Sequence, residues 1–128
     1  MKLLLDTHAI LWWLLGDVKL SVEARKAIGA PEARVLVSSV SAMEVGTKYH
    51  IGKLPQAAAI AGLMAARIAE HGFEPLGLTI AHGDLAGMLD IPHRDPFDRL
   101  LIAQAQIEDA MLVSNETLFD TFGVRRLW

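Results

Sequence analysis

The hydrophobic pattern of the chain alternates between short apolar runs and longer stretches with helical spacing. The short runs are continuous rather than alternating, which is typical of strands covered on both faces. The predicted strands are Lys2–Leu5, Arg34–Ser38, Phe73–Leu78 and Met111–Ser114, with Val124–Trp128 as an edge strand. Because helical stretches separate these runs, we predict an α/β fold with a central parallel sheet of four to five strands between helices, as a three-layer α/β/α domain over residues 1–128.

The helical stretches begin and end at residues that commonly cap helices. The predicted helices are His8–Leu15 with Thr7 as its cap, Ser21–Ala30, a helix from Ser39 or Ser41 to about His50, a long Pro55–His71 helix, Thr79 to about Leu89, Pro96 to about Asp109, and Asn115–Phe122. Two surfaces are unusually apolar: the helix that carries Trp12 and Trp13, and a face of Ile60, Leu63, Met64 and Ile68. Such faces favour helix–helix packing, within the chain or across a dimer.

Composition narrows the class of protein. Hydrophobic residues make up 52% of the 128 residues, yet no apolar run reaches the ~18 residues of a membrane span, so we expect no membrane insertion. The net charge of −3 predicts no general nucleic-acid footprint, although acids at a metal site would also lower the total. The absence of cysteine excludes disulfides and fits a cytoplasmic location.

Four acidic residues fall where the predicted sheet presents the carboxyl ends of its strands. Asp6 follows the first strand, and Glu44 and Glu116 lie in the opening turns of the helices after the second and fourth strands. Asp98 opens the helix that must run back to begin the fourth strand, so it starts at the same edge. Ligand and metal sites of open α/β sheets lie at this edge. The acids are therefore predicted to form one site.

Local roles compete for two of these acids. Asp95 and Pro96 are a helix start, and the structural alternative for Asp98 is that it completes a capping box with Asp95. Glu44 has capping-box spacing from Ser41 and an i,i+4 relation to Lys48. Both structural interpretations stay open on local sequence alone.

Clustered carboxylates need a cation. Two carboxylates ~5 Å apart repel by roughly 3 kcal/mol at an effective dielectric of about 20. A divalent cation removes this repulsion, and Mg²⁺ or Mn²⁺ prefers carboxylate and water oxygens. Zinc is disfavoured because the chain has no cysteine and its five histidines lack the spacing of a zinc motif.

With these acids placed, the whole chain resembles a PIN-domain ribonuclease, specifically the VapC-type toxin of toxin–antitoxin pairs. The matching segments are LLLDTHAILWWL, SSVSAMEVGTKYHIGKL, HRDPFDRLLIAQA and LVSNETLF. The sequence departs from the family pattern at Glu116, where the family usually has Asp, and at Met43, where a Trp often precedes the second acid.

The resemblance implies a PIN-like fold, Mg²⁺- or Mn²⁺-dependent cleavage of RNA, a homodimer, and an antitoxin partner whose tail covers the acidic groove. It implies that the catalytic, metal-binding acids are Asp6, Glu44, Asp98 and Glu116. Thr7 and Ser114 are candidate hydroxyls for orienting the acids, and Arg99 is a candidate phosphate contact or a plain surface residue.

Two other functions fit some of these residues. A phosphoacceptor domain of the receiver kind is also a small α/β domain with clustered acids around Mg²⁺. It would need a phosphorylatable Asp at the end of a central strand and a Lys at the end of a later strand. The second and fourth predicted strands end instead in Ser38 and Ser114, and no Lys follows residue 53. A catalytically inactive PIN fold that serves as a binding module is the third interpretation.

Overall fold

The computed structural model describes residues 1–92 and 95–128. Its centre is a five-stranded, wholly parallel sheet in the order β3-β2-β1-β4-β5. The strands are β1 (Lys2–Leu5), β2 (Arg34–Ser38), β3 (Glu74–Leu76), β4 (Met111–Val113) and β5 (Arg126–Leu127). The helices are α1 (Thr7–Leu15), α2 (Val22–Gly29), α3 (Ser39–His50), α4 (Met64–Glu70), α5 (Ile80–Met88) and α6 (Pro96–Ile107). The predicted three-layer α/β/α fold is confirmed.

The two faces of the sheet are both covered, which explains the continuous apolar runs. Leu3 and Leu5 of β1 face a core with α1, α2 and α4, whereas Leu4 faces a second core built on α6. All three leucines are fully buried. The first strand therefore lies at the middle of both cores, between β2 and β4.

The central strand positions the end of the sheet where the predicted acids lie. The Asp6 amide continues the ladder by donating to the Val113 carbonyl at 3.0 Å. At the same edge, α3 contacts both α1 and α6. This helix therefore bridges the two layers at the point where the acids of both layers can meet.

The long helix predicted over Pro55–His71 is wrong. The chain forms a short 3₁₀ turn at Pro55–Ala57, and α4 begins only at Met64. Gly62 lies between them with φ of +77°, a left-handed conformation that ends a helix. Alanine-rich sequence favours helix, but this glycine allows the chain to turn and bury Ile60 beside α4.

The apolar Ile60–Ile68 face is largely used inside the chain. Ile60, Met64 and Ile68 are buried in the α1–α2–α4 core, and only Leu63 is exposed. Packing within the chain, one of the two uses that the pattern predicted, accounts for most of this face.

Several predicted boundaries move by a few residues. The third strand is shorter than Phe73–Leu78, and α1 starts at Thr7 because Asp6, not Thr7, is its cap. The predicted Asn115–Phe122 helix is a 3₁₀ helix at Thr117–Thr121. Its tighter turns place the fully buried Phe119 against β4. Within the predicted Asp90–Arg94 loop, His93 and Arg94 lie outside the described residues.

Residues 1–92 and 95–128 include no helix with the length and apolar character needed to cross a membrane.

The packing of α6 against the sheet yields a stability prediction. Ile102 is fully buried one turn after Asp98. We expect Ile102→Ala to lower the free energy of unfolding by about 2–5 kcal/mol, because the lost side chain leaves a cavity. Chemical denaturation measures this. The matched control is Val18→Ala, since Val18 is 93% exposed and its truncation is expected to change stability by less than about 0.5 kcal/mol. Equal effects of the two substitutions would contradict this packing.

Candidate active site

Asp6 is held rigidly at the end of the central strand. Its carboxylate caps α1 by accepting from the Ala9 amide at 2.8 Å, and the side chain is buried with only 6% of the residue exposed. Burial raises the pKa of Asp6 to about 6, and the carboxylates of Glu116 and Asp98 add to the rise, while hydrogen bonds from Ser114 and Ala9 oppose it. This carboxylate therefore lies in a site that disfavours its negative charge.

Glu44 lies deeper in its helix than the sequence indicated. Since Ser38 caps α3 by accepting from the Val40 amide at 3.0 Å, Glu44 falls in the second turn, and the capping-box role with Ser41 is wrong. The predicted pair with Lys48 is present, with Nζ donating to Oε2 at 2.5 Å. The Thr7 hydroxyl donates to the other oxygen of Glu44 at 2.5 Å. The i,i+4 pair with Lys48 and a tertiary contact from Thr7, not helix capping, hold this buried acid.

Asp98 opens α6 beside Asp95. The Asp95 carboxylate accepts from the amides of Phe97 and Asp98 at 2.9 and 3.3 Å, so Asp95 caps this helix. Asp98 is the third helical residue and is half-buried. It lies on the helix face that continues with the buried Ile102, as predicted.

Glu116 approaches from the fourth strand. Its amide donates to the Ser114 hydroxyl oxygen at 3.0 Å, and Glu116 immediately precedes the 3₁₀ helix. Ser114 is fully buried and also hydrogen-bonds the Asp6 carboxyl group. The Ser114 side chain therefore links the segments that carry Asp6 and Glu116.

The four predicted acids line one small pocket of about 70 Å³ at the carboxyl edge of the sheet. The described residues that line it are Asp6, Thr7, His8, Glu44, Lys48, Asp95, Asp98, Leu101 and Glu116. Four members were not predicted as site residues: His8, Lys48, Asp95 and Leu101. Two of them could have been found from their spacing, because Lys48 lies one helical turn after Glu44 and His8 follows Asp6 by two residues. Each of these had, however, an ordinary local explanation.

Arg99 is engaged elsewhere. Its guanidinium donates to the carbonyl groups of Leu89 at 2.8 Å and Ala86 at 3.0 Å, at the end of α5, and it is not among the described residues that line the pocket. These contacts favour a structural role for Arg99, in which it joins α5 to α6, over the predicted alternative of a phosphate contact.

The donor set of the pocket suits a hard divalent cation. Among its described lining residues, carboxylates outnumber every other polar group, and the remaining polar groups are one hydroxyl, one imidazole and the ammonium group of Lys48. No three acidic or histidine side chains within residues 1–92 and 95–128 already stand in a metal-binding arrangement. Glu44 is instead engaged by Lys48 and Thr7, and Asp6 by Ala9 and Ser114.

Comparison with known protein families identifies the family of this chain. The sequence pattern of the PIN domain family matches residues 3–124, nearly the whole chain. The chain belongs to the PIN domain family. A comparison with curated proteins found no match.

Solved structures show the same PIN fold at low identity. VapBC2 from Rickettsia felis, bound to a promoter DNA fragment, aligns with a TM-score of 0.72 and 17% identity, covering 100% of this chain and 99% of that one. VapBC-1 from nontypeable Haemophilus influenzae aligns with a TM-score of 0.65 and 17% identity, covering 99% and 97%. A toxin–antitoxin complex from Klebsiella pneumoniae gives 0.64 and 20%, covering 98% and 95%.

The raised pKa of Asp6 predicts how this PIN domain responds to pH. Between about pH 4 and 6 the native state binds more protons at Asp6 than the unfolded state does, so this group lowers stability as pH rises. Asp6→Asn keeps a capping side chain without the charge. In EDTA it should match wild type near pH 4 and exceed it at pH 7 by about 2–3 kcal/mol.

Denaturation curves across this pH range measure that difference. The control is Asp84→Asn, because Asp84 is exposed on α5 outside the pocket and its substitution is expected to change stability by less than about 0.5 kcal/mol. A constant difference between Asp6→Asn and wild type would contradict the burial effect.

Proposed function

We propose that this PIN domain is a divalent-metal-dependent endoribonuclease that acts as the toxin of a toxin–antitoxin pair. The observation that carries the proposal is the pocket at the carboxyl edge of the sheet, where Asp6, Glu44, Asp98 and Glu116 meet from four distant segments. A fold needs no such cluster for stability, since carboxylates in one pocket repel one another. A bound cation explains the cluster, because its positive charge offsets the repulsion between the carboxylates.

The four acids would hold Mg²⁺ or Mn²⁺. When bound, such a cation activates water for attack on a phosphodiester and neutralises charge that develops on the phosphate. Asp6 is the most rigid of the four, because the strand ladder fixes its backbone and the Ala9 amide fixes its side chain. Glu116 precedes a short 3₁₀ helix and has one more rotatable bond than Asp, which suits a contact through water.

The remaining polar residues of the pocket orient the acids and the substrate. Thr7 holds one oxygen of Glu44, and Ser114 holds Asp6. Lys48 donates to the other Glu44 oxygen and is part of the pocket lining, so its ammonium group also provides positive charge for an RNA phosphate. Buried hydroxyls that fix ligand orientation commonly support metal sites in this way.

The comparisons support the biological role. Three similar structures are toxin–antitoxin complexes that share this fold. We infer an antitoxin partner whose basic or apolar segment covers the acidic pocket, and a cytoplasmic site of action. The receiver-type alternative loses support, because the chain matches the PIN pattern over residues 3–124. A catalytically inactive PIN fold is the remaining alternative, and the next experiment tests it.

Antitoxin-free protein should cleave a mixed pool of structured RNA in Mg²⁺ or Mn²⁺ and stop in EDTA. Asp98→Asn should abolish cleavage, because the amide is a poor ligand for a hard cation. In EDTA the same variant should be as stable as wild type or more so, by about 1–3 kcal/mol, because like-charge repulsion is removed. Gel analysis of the RNA and melting curves measure both effects.

Further variants distinguish the effect of the pocket acids on cleavage from the effect of surface charge. Glu116→Gln should slow cleavage less than Asp98→Asn does, Glu116→Asp should be tolerated, and the exposed Asp84→Asn should match wild type. Cleavage that persists in EDTA would refute the metal mechanism. No cleavage of any RNA would favour the inactive binding module, and normal cleavage by Asp98→Asn would remove Asp98 from the site.

We also propose a homodimer. Leu15 at the end of α1 and Ile80 and Met88 of α5 are exposed, so apolar surface outside the acidic pocket is available for an interface. Light scattering of antitoxin-free protein at micromolar concentration should return twice the chain mass. A mass of 14.0 kDa would contradict the dimer.

A further inference from the structure

A row of aromatic rings leads away from the acidic pocket. We use the term aromatic row for His8, Trp12 and Trp128. His8 lines the pocket and stacks on Trp12, with ring centroids 5.2 Å apart and planes at 30°. Trp12 meets Trp128 edge-on, with centroids 5.8 Å apart. All three side chains are half-buried, so each leaves part of its ring accessible.

The row is built from two distant parts of the chain. His8 and Trp12 lie four residues apart on α1, so they share one face of that helix. Trp128 is brought to the same face by β5, which adds to the sheet beside β4. The row therefore begins at His8, two residues after Asp6, in the lining of the candidate active site.

Trp13 provides an internal comparison. It is adjacent to Trp12 in sequence but lies about 100° around the helix, where its indole N–H donates to His71 Nδ1 at 3.2 Å. It packs on Phe73 with centroids 5.7 Å apart and lines a different cavity of about 460 Å³. The two tryptophans of α1 therefore serve different surfaces.

The described residues that line the pocket offer little positive charge for binding RNA, and the aromatic row supplies affinity in another way. Proteins usually bind RNA through Lys and Arg contacts to phosphates, but of the described residues that line the pocket only Lys48 is a cation, and it is paired with Glu44. Arg126, which donates to the Ser114 carbonyl, is paired with Asp120 at 2.8 Å. Aromatic stacking supplies affinity for single strands without added positive charge.

We propose that the aromatic row is a nucleobase-binding subsite, on which unpaired bases next to the phosphodiester in the pocket stack. This inference rests on the proposed ribonuclease function and adds to it the surface that the bases beside the cleaved phosphodiester contact. Every base has a face that can stack, so the row selects unpaired RNA and not a particular sequence. Bases in a duplex are stacked on each other and cannot use it.

The test is binding of a short, randomised, fluorescein-labelled single-stranded RNA in Mg²⁺, followed by anisotropy. The protein carries Asp98→Asn so that binding is measured without cleavage. Adding Trp12→Leu should weaken binding by about 5- to 150-fold, the loss expected for one stacked base. Adding Trp13→Leu in its place is the matched control and should leave binding unchanged. A duplex RNA should bind more weakly and should not respond to Trp12→Leu.

A second measurement uses no leucine variant, so its result does not depend on the stability of one. Replacing two of the three tryptophans by Phe leaves one indole as a fluorophore while an aromatic ring stays at every position. Single-stranded RNA should quench the emission of the protein that retains only Trp12 and of the protein that retains only Trp128. It should not quench the protein that retains only Trp13.

The outcomes separate this inference from the proposed function. Unchanged binding with Trp12→Leu, equal quenching of all three single-tryptophan proteins, or no quenching of any of them would overturn the subsite. If wild type cleaves RNA while any of these results holds, only the subsite is refuted. If binding depends on Trp12 but wild type cleaves nothing, the subsite stands and the nuclease function fails.

Discussion

Repulsion between carboxylates that share one pocket is the constraint on which the rest of this structure depends. Each close pair costs about 3 kcal/mol at ~5 Å, which is comparable to what burial of one large apolar side chain contributes, about 1.5–3 kcal/mol. The chain meets this cost with a central strand whose leucines are buried in cores on both faces of the sheet. Asp6 follows that strand directly, so this buried acid is attached to a segment whose three leucines are fully buried.

The protein also engages its acids individually. Asp6 accepts from the Ala9 amide and Ser114, Asp95 is used as a helix cap, and Glu44 pairs with Lys48. Each partner offsets part of the repulsion in the absence of a cation. The pKa of Asp6 nevertheless rises to about 6, chiefly because the carboxyl group is buried and to a smaller extent because Glu116 and Asp98 are near it. A divalent cation would supply the missing positive charge, so the electrostatic defect and the proposed activity have the same origin.

The helix α1, which follows the first strand, contributes residues to both the acidic pocket and the aromatic row. Its first turn contributes Asp6, as the cap, and Thr7, which holds Glu44. Its next turn carries Trp12, which stacks with His8 and meets Trp128 from the other end of the chain. A polar pocket and an aromatic surface therefore adjoin because one short helix begins in the first and continues along the second. The proposed division of substrate contacts, phosphate at the acids and bases at the rings, follows this arrangement.

Local patterns were sufficient for much of the fold. The first two strands matched their predicted bounds, because a parallel strand buried on both faces must be a continuous apolar run. The start of α6 followed from Asp95 and Pro96, whose capping chemistry is local. The convergence of four acids on one edge also followed from the sequence, since the strand order of a parallel α/β fold sends them there.

Tertiary structure decided the features that depend on contacts between distant segments. Gly62 interrupts an alanine-rich stretch because turning there buries Ile60 in the core, a gain that helix propensity does not contain. Of the two local roles open to Glu44, the pair with Lys48 is present, whereas the capping role is replaced by a contact from the distant Thr7 hydroxyl. Lys48 and His8 belong to the pocket, and Trp128 meets Trp12, only because separate elements pack together. The periodicity of a sequence specifies which face a residue occupies, but only packing determines what that face meets.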